Sequence, residues 1–248
     1  MRVIARLDVK NNFVIKGVHL EGLRKVGDPS HLAKAYYEAG IDEIVFIDAV
    51  ASLYNRNNLF SLIQKASEEV FVPITIGGGL RSLSDIEQAL DAGADKVALN
   101  TAAVRDPDLI ENVAKRYGSQ CVVASVQAKR IENGWEAYIE TGREKTGLNV
   151  LDWVKRLQDL GAGEIFLTSV DQEGTKSGFD VSLIKAVNEA VSIPVIVSGG
   201  YGHSKHIQDL LDITEPSGLC FASVLHYNNT SVEALRADIE QAKSSLIK

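Results

Sequence analysis

Asp8 is the first residue whose type and position suggest chemistry. It follows the apolar run 3–7, at the point where a buried strand would leave the protein interior. A carboxylate is rarely placed there without a partner or a task. A second run, 122–130, has the same layout, and Gln127 stands where Asp8 stands in the first. The pair is unequal, because a carboxylate exchanges protons whereas an amide only forms hydrogen bonds at neutral pH.

Other apolar runs end in glycines and small polar residues. They form two similar groups, Gly79 with Asn100 and Thr101, and Gly200 with Ala222 and Ser223. Glycine lets an anion approach backbone N–H groups, and a following helix N-terminus adds partial positive charge. The two groups therefore predict two phosphate-binding cradles across one mouth. The alternative is that these glycines only form tight turns, and neither group is a nucleotide-binding fingerprint.

Two segments are too long for simple turns. Residues 11–28 contain Lys16 and Lys25, and residues 132–147 contain the turn signal Asn133-Gly134, which predicts a small hairpin. Long loops often act as lids in barrels. Lys16 is therefore a candidate for closing over an anionic substrate, and the alternative is an ordinary solvated lysine.

Charged residues stand just before four of the apolar runs, and they are Arg2, Glu43, Lys96 and Glu164. Their signs would nearly neutralise one another if they formed a ring at the opposite mouth. The ring would be a gate into the interior; the alternative is a set of ordinary rim charges.

The elements that must position these residues alternate regularly. Most predicted strands are continuously apolar, as in parallel sheets buried on both faces. The predicted strands are 3–7, 43–47, 74–76, 96–99, 121–126, 164–168, 195–197 and 219–222. The predicted helices are 29–39, 59–69, 83–92, 108–117, 150–160, 182–190, 205–211 and 232–245. Eight strands alternating with eight helices predict a (β/α)8 TIM barrel, and a doubly wound open sheet is the second choice.

The chain also repeats itself. Residues 42–48 resemble 163–169, residues 72–79 resemble 193–200, and the offset from Asp8 to Gln127 is similar. We expect one α/β domain over 1–248, built from half-barrels of about 1–118 and 119–248, with two equivalent ligand sites.

Bulk composition excludes several classes of protein. The chain has 248 residues, a net charge of −7 and no basic stripe, so nucleic acid and membranes are not expected partners. Cys121 and Cys220 lie in apolar runs and predict buried thiols, not a disulfide or a metal site. The residues indicate no cofactor and no metal. Without a signal peptide or a transmembrane run, a cytosolic location is expected.

Together these stretches resemble the HisF family, the cyclase subunit of imidazole glycerol phosphate synthase. The matching segments are LDVKNNFVIKG, GDPSHLAKAYYEAGIDEIVFIDAVAS, VPITIGGGLRS, AGADKVALNTAAV, YGSQCVV, GAGEIFLTSVDQEGTKSG, IPVIVSGGYG and FASVLHY. The resemblance implies a (βα)8 barrel and a substrate with two phosphates, the nucleotide PRFAR. It also implies ammonia from a HisH-like glutaminase subunit, delivered through the barrel of a heterodimer.

The resemblance also assigns residues. Asp8 matches the family's first catalytic aspartate, Lys16 matches its mobile-loop lysine, and Gly174 joins the phosphate-binding set. The four rim charges match the family's ammonia gate. Gln127 departs from the family because it occupies the place of the second catalytic aspartate, and Glu173 replaces a usual aspartate. The cyclase needs a carboxylate pair for general acid–base catalysis.

Three hypotheses follow. The first is a HisF-type cyclase, a lyase with Asp8 as the essential acid. The second is a HisF-like ammonia conduit, impaired as a cyclase through Gln127, that supplies amidation of a nucleotide-linked sugar in surface-polysaccharide biosynthesis; segment 52–59 resembles such paralogues. The third, a related isomerase barrel, fits least, because the four rim charges and residues 142–147 fit HisF better. The isomerase also requires an aspartate at the position of Gln127.

Overall fold

Parallel strands close into a barrel in the computed structural model, which describes residues 1–49 and 59–246. The strands are β1 (Arg2–Lys10), β2 (Phe13–Val18), β3 (Glu21–Gly27), β4 (Glu43–Asp48), β5 (Ile74–Gly77), β6 (Lys96–Leu99), β7 (Val122–Ile131), β8 (Gly134–Ile139), β9 (Glu144–Asn149), β10 (Glu164–Ser169), β11 (Val195–Ser198) and β12 (Gly218–Phe221). The helices are α1 (Pro29–Glu38), α2 (Leu59–Ser67), α3 (Leu83–Asp91), α4 (Thr101–Arg105), α5 (Asp108–Tyr117), α6 (Val150–Asp159), α7 (Val181–Ala190), α8 (Ser204–Leu211), α9 (Ser223–His226) and α10 (Val232–Leu246), with a 3-10 turn at Ser119–Cys121.

The barrel runs β1-β4-β5-β6-β7-β10-β11-β12 and returns to β1. Every neighbouring pair in this circuit is parallel; Arg2 pairs with Gly218 at one seam and Glu164 with Val123 at another. Because each of these eight strands pairs with a neighbour on both sides, including β12 with β1 and β7 with β10, the sheet is closed and the doubly wound alternative is wrong. The predicted TIM barrel is confirmed. The half-barrel division stays a prediction.

Antiparallel hairpins extend two of the barrel strands. Strands β2 and β3 continue from β1, and β8 and β9 continue from β7, so β1 and β7 carry equivalent additions. The predicted hairpin at Asn133-Gly134 is present. The first segment was expected to be a loop and is instead a hairpin, turning through His19 and Leu20 in left-handed backbone conformations. Strand β3 is mostly exposed and charged, so it lacks the apolar pattern of a strand.

The helices begin at side-chain caps. The Asp28 carboxylate accepts a hydrogen bond from the His31 N–H and starts α1, and Ser82 with Asp85 forms a capping box at α3. The observed helices match the predicted ones to within a few residues. The short helices α4 and α9 were not predicted, because four or five residues carry no helical period.

Two apolar regions hold the barrel together. The larger region lies between the strands and the helices, and a smaller layer fills the bore with Ile4, Val45, Ala98, Val123, Phe166, Ile196 and Cys220. Both cysteines are buried and free, as predicted. No helix among the described residues is long and apolar enough to cross a membrane.

Candidate functional site

The four predicted rim charges meet at the N-terminal mouth of the barrel. Arg2 Nη1 lies 2.9 Å from Glu43 Oε2, and Arg2 also pairs with Glu164. Lys96 Nζ lies 3.1 Å from Glu43 and 3.2 Å from Glu164 Oε2. Thr75 Oγ1 donates a further hydrogen bond to Glu43. The four charges therefore form one closed ring of two cations and two anions, rather than separate rim charges.

A second charged cluster lies beyond the apolar layer, at the C-terminal mouth. Arg6 and Asp8 project inward from β1, since residues two apart share a face of a strand. Arg6 Nη2 lies 2.8 Å from Asp8 Oδ1, and Lys16 Nζ lies 3.7 Å from Asp8 Oδ2. Lys16 also pairs with Glu173. The Lys16 side chain is only 4% exposed, so the solvated-lysine alternative is wrong.

Burial and charge oppose each other at Asp8. Burial disfavours its ionised form, but the charge of Arg6 and then that of Lys16 outweigh burial and lower the pKa of Asp8 below its usual value. Burial acts the same way on Arg6, yet Asp8 and Glu173 raise the pKa of this guanidinium. Asp8 is therefore an anion and Arg6 a cation at neutral pH.

Gln127 and Asp8 line the same small cavity, of about 30 Å³, together with Lys16 and Thr141. The cavity has room for one or two water-sized molecules. Gln127 is partly buried, and its Oε1 is a buried oxygen without a hydrogen-bond partner among the described residues. The amide therefore offers a free acceptor where the family's pattern has a carboxylate.

The first cradle is a cavity of about 170 Å³. Its lining includes Gly79, Asn100, Thr101 and Gln127, so it is continuous with the Asp8 side of the mouth. Asn100 Nδ2 donates to the backbone oxygen of Ser125 at 2.9 Å, which fixes the amide against β7. Thr101 begins the short helix α4. The predicted residues are thus together, in a space large enough for a phosphate group.

The second cradle is much tighter, at about 20 Å³. Its lining contains Gly174, Gly200, Ala222, Ser223 and Glu173. Gly200 has φ +103°, and a Cβ placed there would lie 1.9 Å from the backbone oxygen of Gly178, so only glycine fits. The cradles come from β5–β6 and β11–β12, which lie on opposite sides of the barrel. The two cradles therefore lie at the expected symmetric positions, but their volumes differ.

Sequence reasoning missed the place of Arg6 at this mouth and its contact with Thr168. Arg6 lies in the first apolar run, 3–7, and its spacing of two from Asp8 was the available signal that it also faces inward. Its hydrogen bond to Thr168 Oγ1, at 3.3 Å, joins residues 162 positions apart, which no local pattern reveals. Glu173 was noted only as a departure, and it proves to be the ion-pair partner of Lys16.

Comparison with known proteins agrees with this geometry. A family model described as "Histidine biosynthesis protein" matches residues 2–231. An "Imidazole glycerol phosphate synthase subunit HisF" of Legionella pneumophila is 58% identical over 203 residues, covering 82% of this chain and 96% of the relative. Proteins of the same name from Streptococcus sanguinis and a Hydrogenobaculum species are 45% and 44% identical, each over 97% of this chain and 96% of the relative. The chain therefore belongs to the HisF family of histidine-biosynthesis proteins.

Proposed function

We propose that this chain is the cyclase subunit of an imidazole glycerol phosphate synthase, which uses ammonia to convert PRFAR to imidazole glycerol phosphate and AICAR. One observation carries the proposal. A single bore has a ring of four charges at one end and, at the other, the Asp8 cavity between two cradles on opposite sides.

The named relatives support the histidine pathway over the alternatives, because they share the synthase name and not that of an isomerase or a sugar-amidating system. The segment that suggested sugar amidation, 52–59, lies outside the described residues except for Leu59, which begins α2.

Each group at the mouth has a role in this proposal. Asp8, an anion, accepts a proton during ring closure. The cradles at Gly79 and Gly200 hold the two phosphate ends of the substrate. Lys16 exchanges its contact with Glu173 for the anionic substrate when the hairpin closes.

A HisH-like glutaminase completes the proposed heterodimer. It docks on the N-terminal face, where the ring of Arg2, Glu43, Lys96 and Glu164 surrounds the entrance to the bore. Ammonia released there enters the barrel without passing through bulk water. In this proposal the complex works in the cytoplasm, where the two buried cysteines stay reduced.

The amide of Gln127 lowers the turnover rate that we expect with PRFAR. An amide neither donates nor accepts a proton at neutral pH, so one half of the acid–base pair is absent. A missing general acid or base typically lowers the rate by about two to four orders of magnitude. The native chain should therefore bind PRFAR well and turn it over slowly.

The test is steady-state turnover of PRFAR by the purified chain, with an ammonium salt at alkaline pH. We expect slow formation of imidazole glycerol phosphate and AICAR, and loss of that activity in Asp8→Asn. Binding of PRFAR, measured separately by calorimetry, should survive the Asp8→Asn change. Absence of both binding and turnover in the native chain would refute the proposal.

A further inference from the structure

Arg6 spans the interior of the barrel. Its side chain starts on β1 and is only 4% exposed. It reaches Thr168 Oγ1 on β10, which is the third strand from β1 around the barrel. The guanidinium carbon also lies 5.7 Å from the centre of the Phe166 ring, a member of the apolar layer. Arg6 therefore rests on that layer and is part of the wall of the Asp8 cavity.

The contact with Asp8 combines one hydrogen bond with a second ion-pair contact to the same oxygen. Arg6 Nε lies 2.9 Å and Nη2 2.8 Å from the same oxygen, Asp8 Oδ1. Charge-assisted contacts of this kind are short, and the hydrogen bond from Nε is also directional. They hold one oxygen of Asp8 in place, while the other, Oδ2, lies 3.7 Å from Lys16 Nζ.

The other titratable groups described around this cluster do not take the place of Arg6 at Asp8 Oδ1. Glu173, from the loop after β10, pairs with Lys16 of β2 and lies 4.0 Å from Arg6 Nη1. His226 of α9 and Cys220 of β12 also face the cluster. Burial, followed by the charge of Lys16, lowers the pKa of His226 to about 4, and burial raises the pKa of the Cys220 thiol. Both are therefore neutral at pH 7.

We infer that Arg6 is a positioning residue, which holds Asp8 in one orientation and as a carboxylate anion in the cavity shared with Gln127. This inference rests on the proposed function, because the ionisation of Asp8 matters for turnover only if Asp8 exchanges a proton with the substrate. It also changes the expected role of Asp8. A side chain held as an anion enters the reaction as the base, as in the proposed function, and not as the essential acid of the first hypothesis.

The test reads the ionisation of Asp8 directly and needs no substrate. The chain is labelled with ¹³C at aspartate carboxyls, and the Asp8 resonance is assigned by its loss in Asp8→Asn. In the native chain we expect this resonance to stay constant from about pH 7 to about pH 4, the ordinary aspartate range. In Arg6→Met, which keeps the length of the side chain but not its charge, the titration midpoint should rise by about one to three pH units.

Two further variants separate positioning from general packing. Arg6→Lys keeps a charge but loses the guanidinium contact with Asp8 Oδ1, so its midpoint should lie between those of the native chain and Arg6→Met. Lys16→Met is the matched control, because Lys16 is farther from Asp8, and it should move the midpoint less than Arg6→Met does. Near-UV circular dichroism establishes that each variant is folded.

Titration of native Asp8 at or above the ordinary aspartate range would overturn the inference, and this measurement stands even if Arg6→Met does not fold. An unchanged midpoint in a folded Arg6→Met would overturn it as well. Neither result depends on PRFAR turnover, so the inference and the proposed function can fail separately.

Discussion

Asp8 and Gln127 face one small cavity from opposite sides of the barrel, on β1 and β7. These two strands also carry the equivalent hairpins, so the residues occupy corresponding places on two facing strands. One is a carboxylate held by a guanidinium, and the other is an amide whose Oε1 has no hydrogen-bond partner among the described residues. Of these two facing residues, only Asp8 can therefore exchange a proton at neutral pH.

Restoring the second carboxylate should accelerate turnover. We expect Gln127→Asp to raise kcat for PRFAR with ammonium by up to about two to four orders of magnitude. KM should change little, because the added group acts mainly in the transition state. Gln127→Asn is the matched control, since it has the shape of aspartate without the charge. Full activity in the native chain, or equal rates for the Asp and Asn variants, would contradict the two-carboxylate argument.

Reversing one charge of the ring should uncouple ammonia delivery. Lys96→Glu places a third carboxylate beside Glu43 and Glu164, which are 2% and 8% exposed and depend on Lys96 and Arg2 for compensation. Breaking a buried ion pair costs about 3 kcal/mol or more of unfolding free energy. With the glutaminase partner, glutamine-dependent turnover should fall more than ammonium-dependent turnover.

Lys115→Glu is the control for this change, because the Lys115 side chain is 68% exposed and, within the described part of the chain, pairs only with Glu111 on the same helix. It should alter stability by less than about 1 kcal/mol and leave coupling intact. Unfolding in urea measures the first effect, and the ratio of the two turnover rates measures the second. An unchanged ratio in Lys96→Glu would mean that the ring is not a gate.

The tight cradle should lose anion binding when its glycine is replaced. Gly200→Ala places a methyl group 1.9 Å from the Gly178 oxygen, so the backbone must move. Gly40→Ala is a matched control, because Gly40 also has positive φ, +83°, yet has open space around its Cβ position. Crystals of the native chain and of both variants, grown in phosphate, should show density near Gly79 in all three and near Gly200 in all but Gly200→Ala. Tight binding of phosphate only on the Arg2 and Lys96 face of the native chain would refute both cradles.

His226 should make stability depend on pH. Its Nδ1 lies 2.7 Å from the Tyr36 hydroxyl, and burial, then Lys16, lower its pKa from 6.5 to about 4. The folded chain therefore holds a neutral imidazole that the unfolded chain protonates. This group therefore leaves the folded state at full stability above about pH 6.5. As the pH falls toward 4, the unfolding free energy decreases by about 3 kcal/mol.

Urea unfolding across this range measures the effect. The unfolding free energy of the native chain should fall more steeply between pH 6.5 and pH 4 than that of His226→Asn. The exposed His31 provides the control variant, His31→Asn, which should follow the native chain. Parallel curves for the native chain and His226→Asn would show that another group carries the acid sensitivity.

The regular parts of this fold were predictable because each strand and helix carries its own local pattern. Continuous apolar runs gave the eight barrel strands, and caps such as Ser82 located helix ends. The closure of the barrel followed from their count. The first hairpin did not follow, since the exposed, charged β3 lacks an apolar face, and its stability comes from pairing with β2.

The positions of the candidate site residues were predictable, but their contacts were not. Residues at strand ends were placed correctly at one mouth or the other because parallel strands share a direction. Which charges would pair could not be deduced, because Lys16 and Glu173 are 157 positions apart and meet only in the folded chain. The difference in volume between the cradles likewise depends on close backbone contacts, such as Gly200 against Gly178.

The seam between β1 and β12, where Arg2 pairs with Gly218, affects how the chain folds while it is being translated. The first strand leaves the ribosome roughly ten to forty seconds before its last neighbour, at about 5–20 residues per second. During that interval one edge of β1 has no partner and is open to wrong pairing. Arg6 meanwhile lacks Thr168 until that residue is translated. Closure of the barrel, and with it the burial of the charges in its bore, is therefore a late event that begins only when translation is nearly complete.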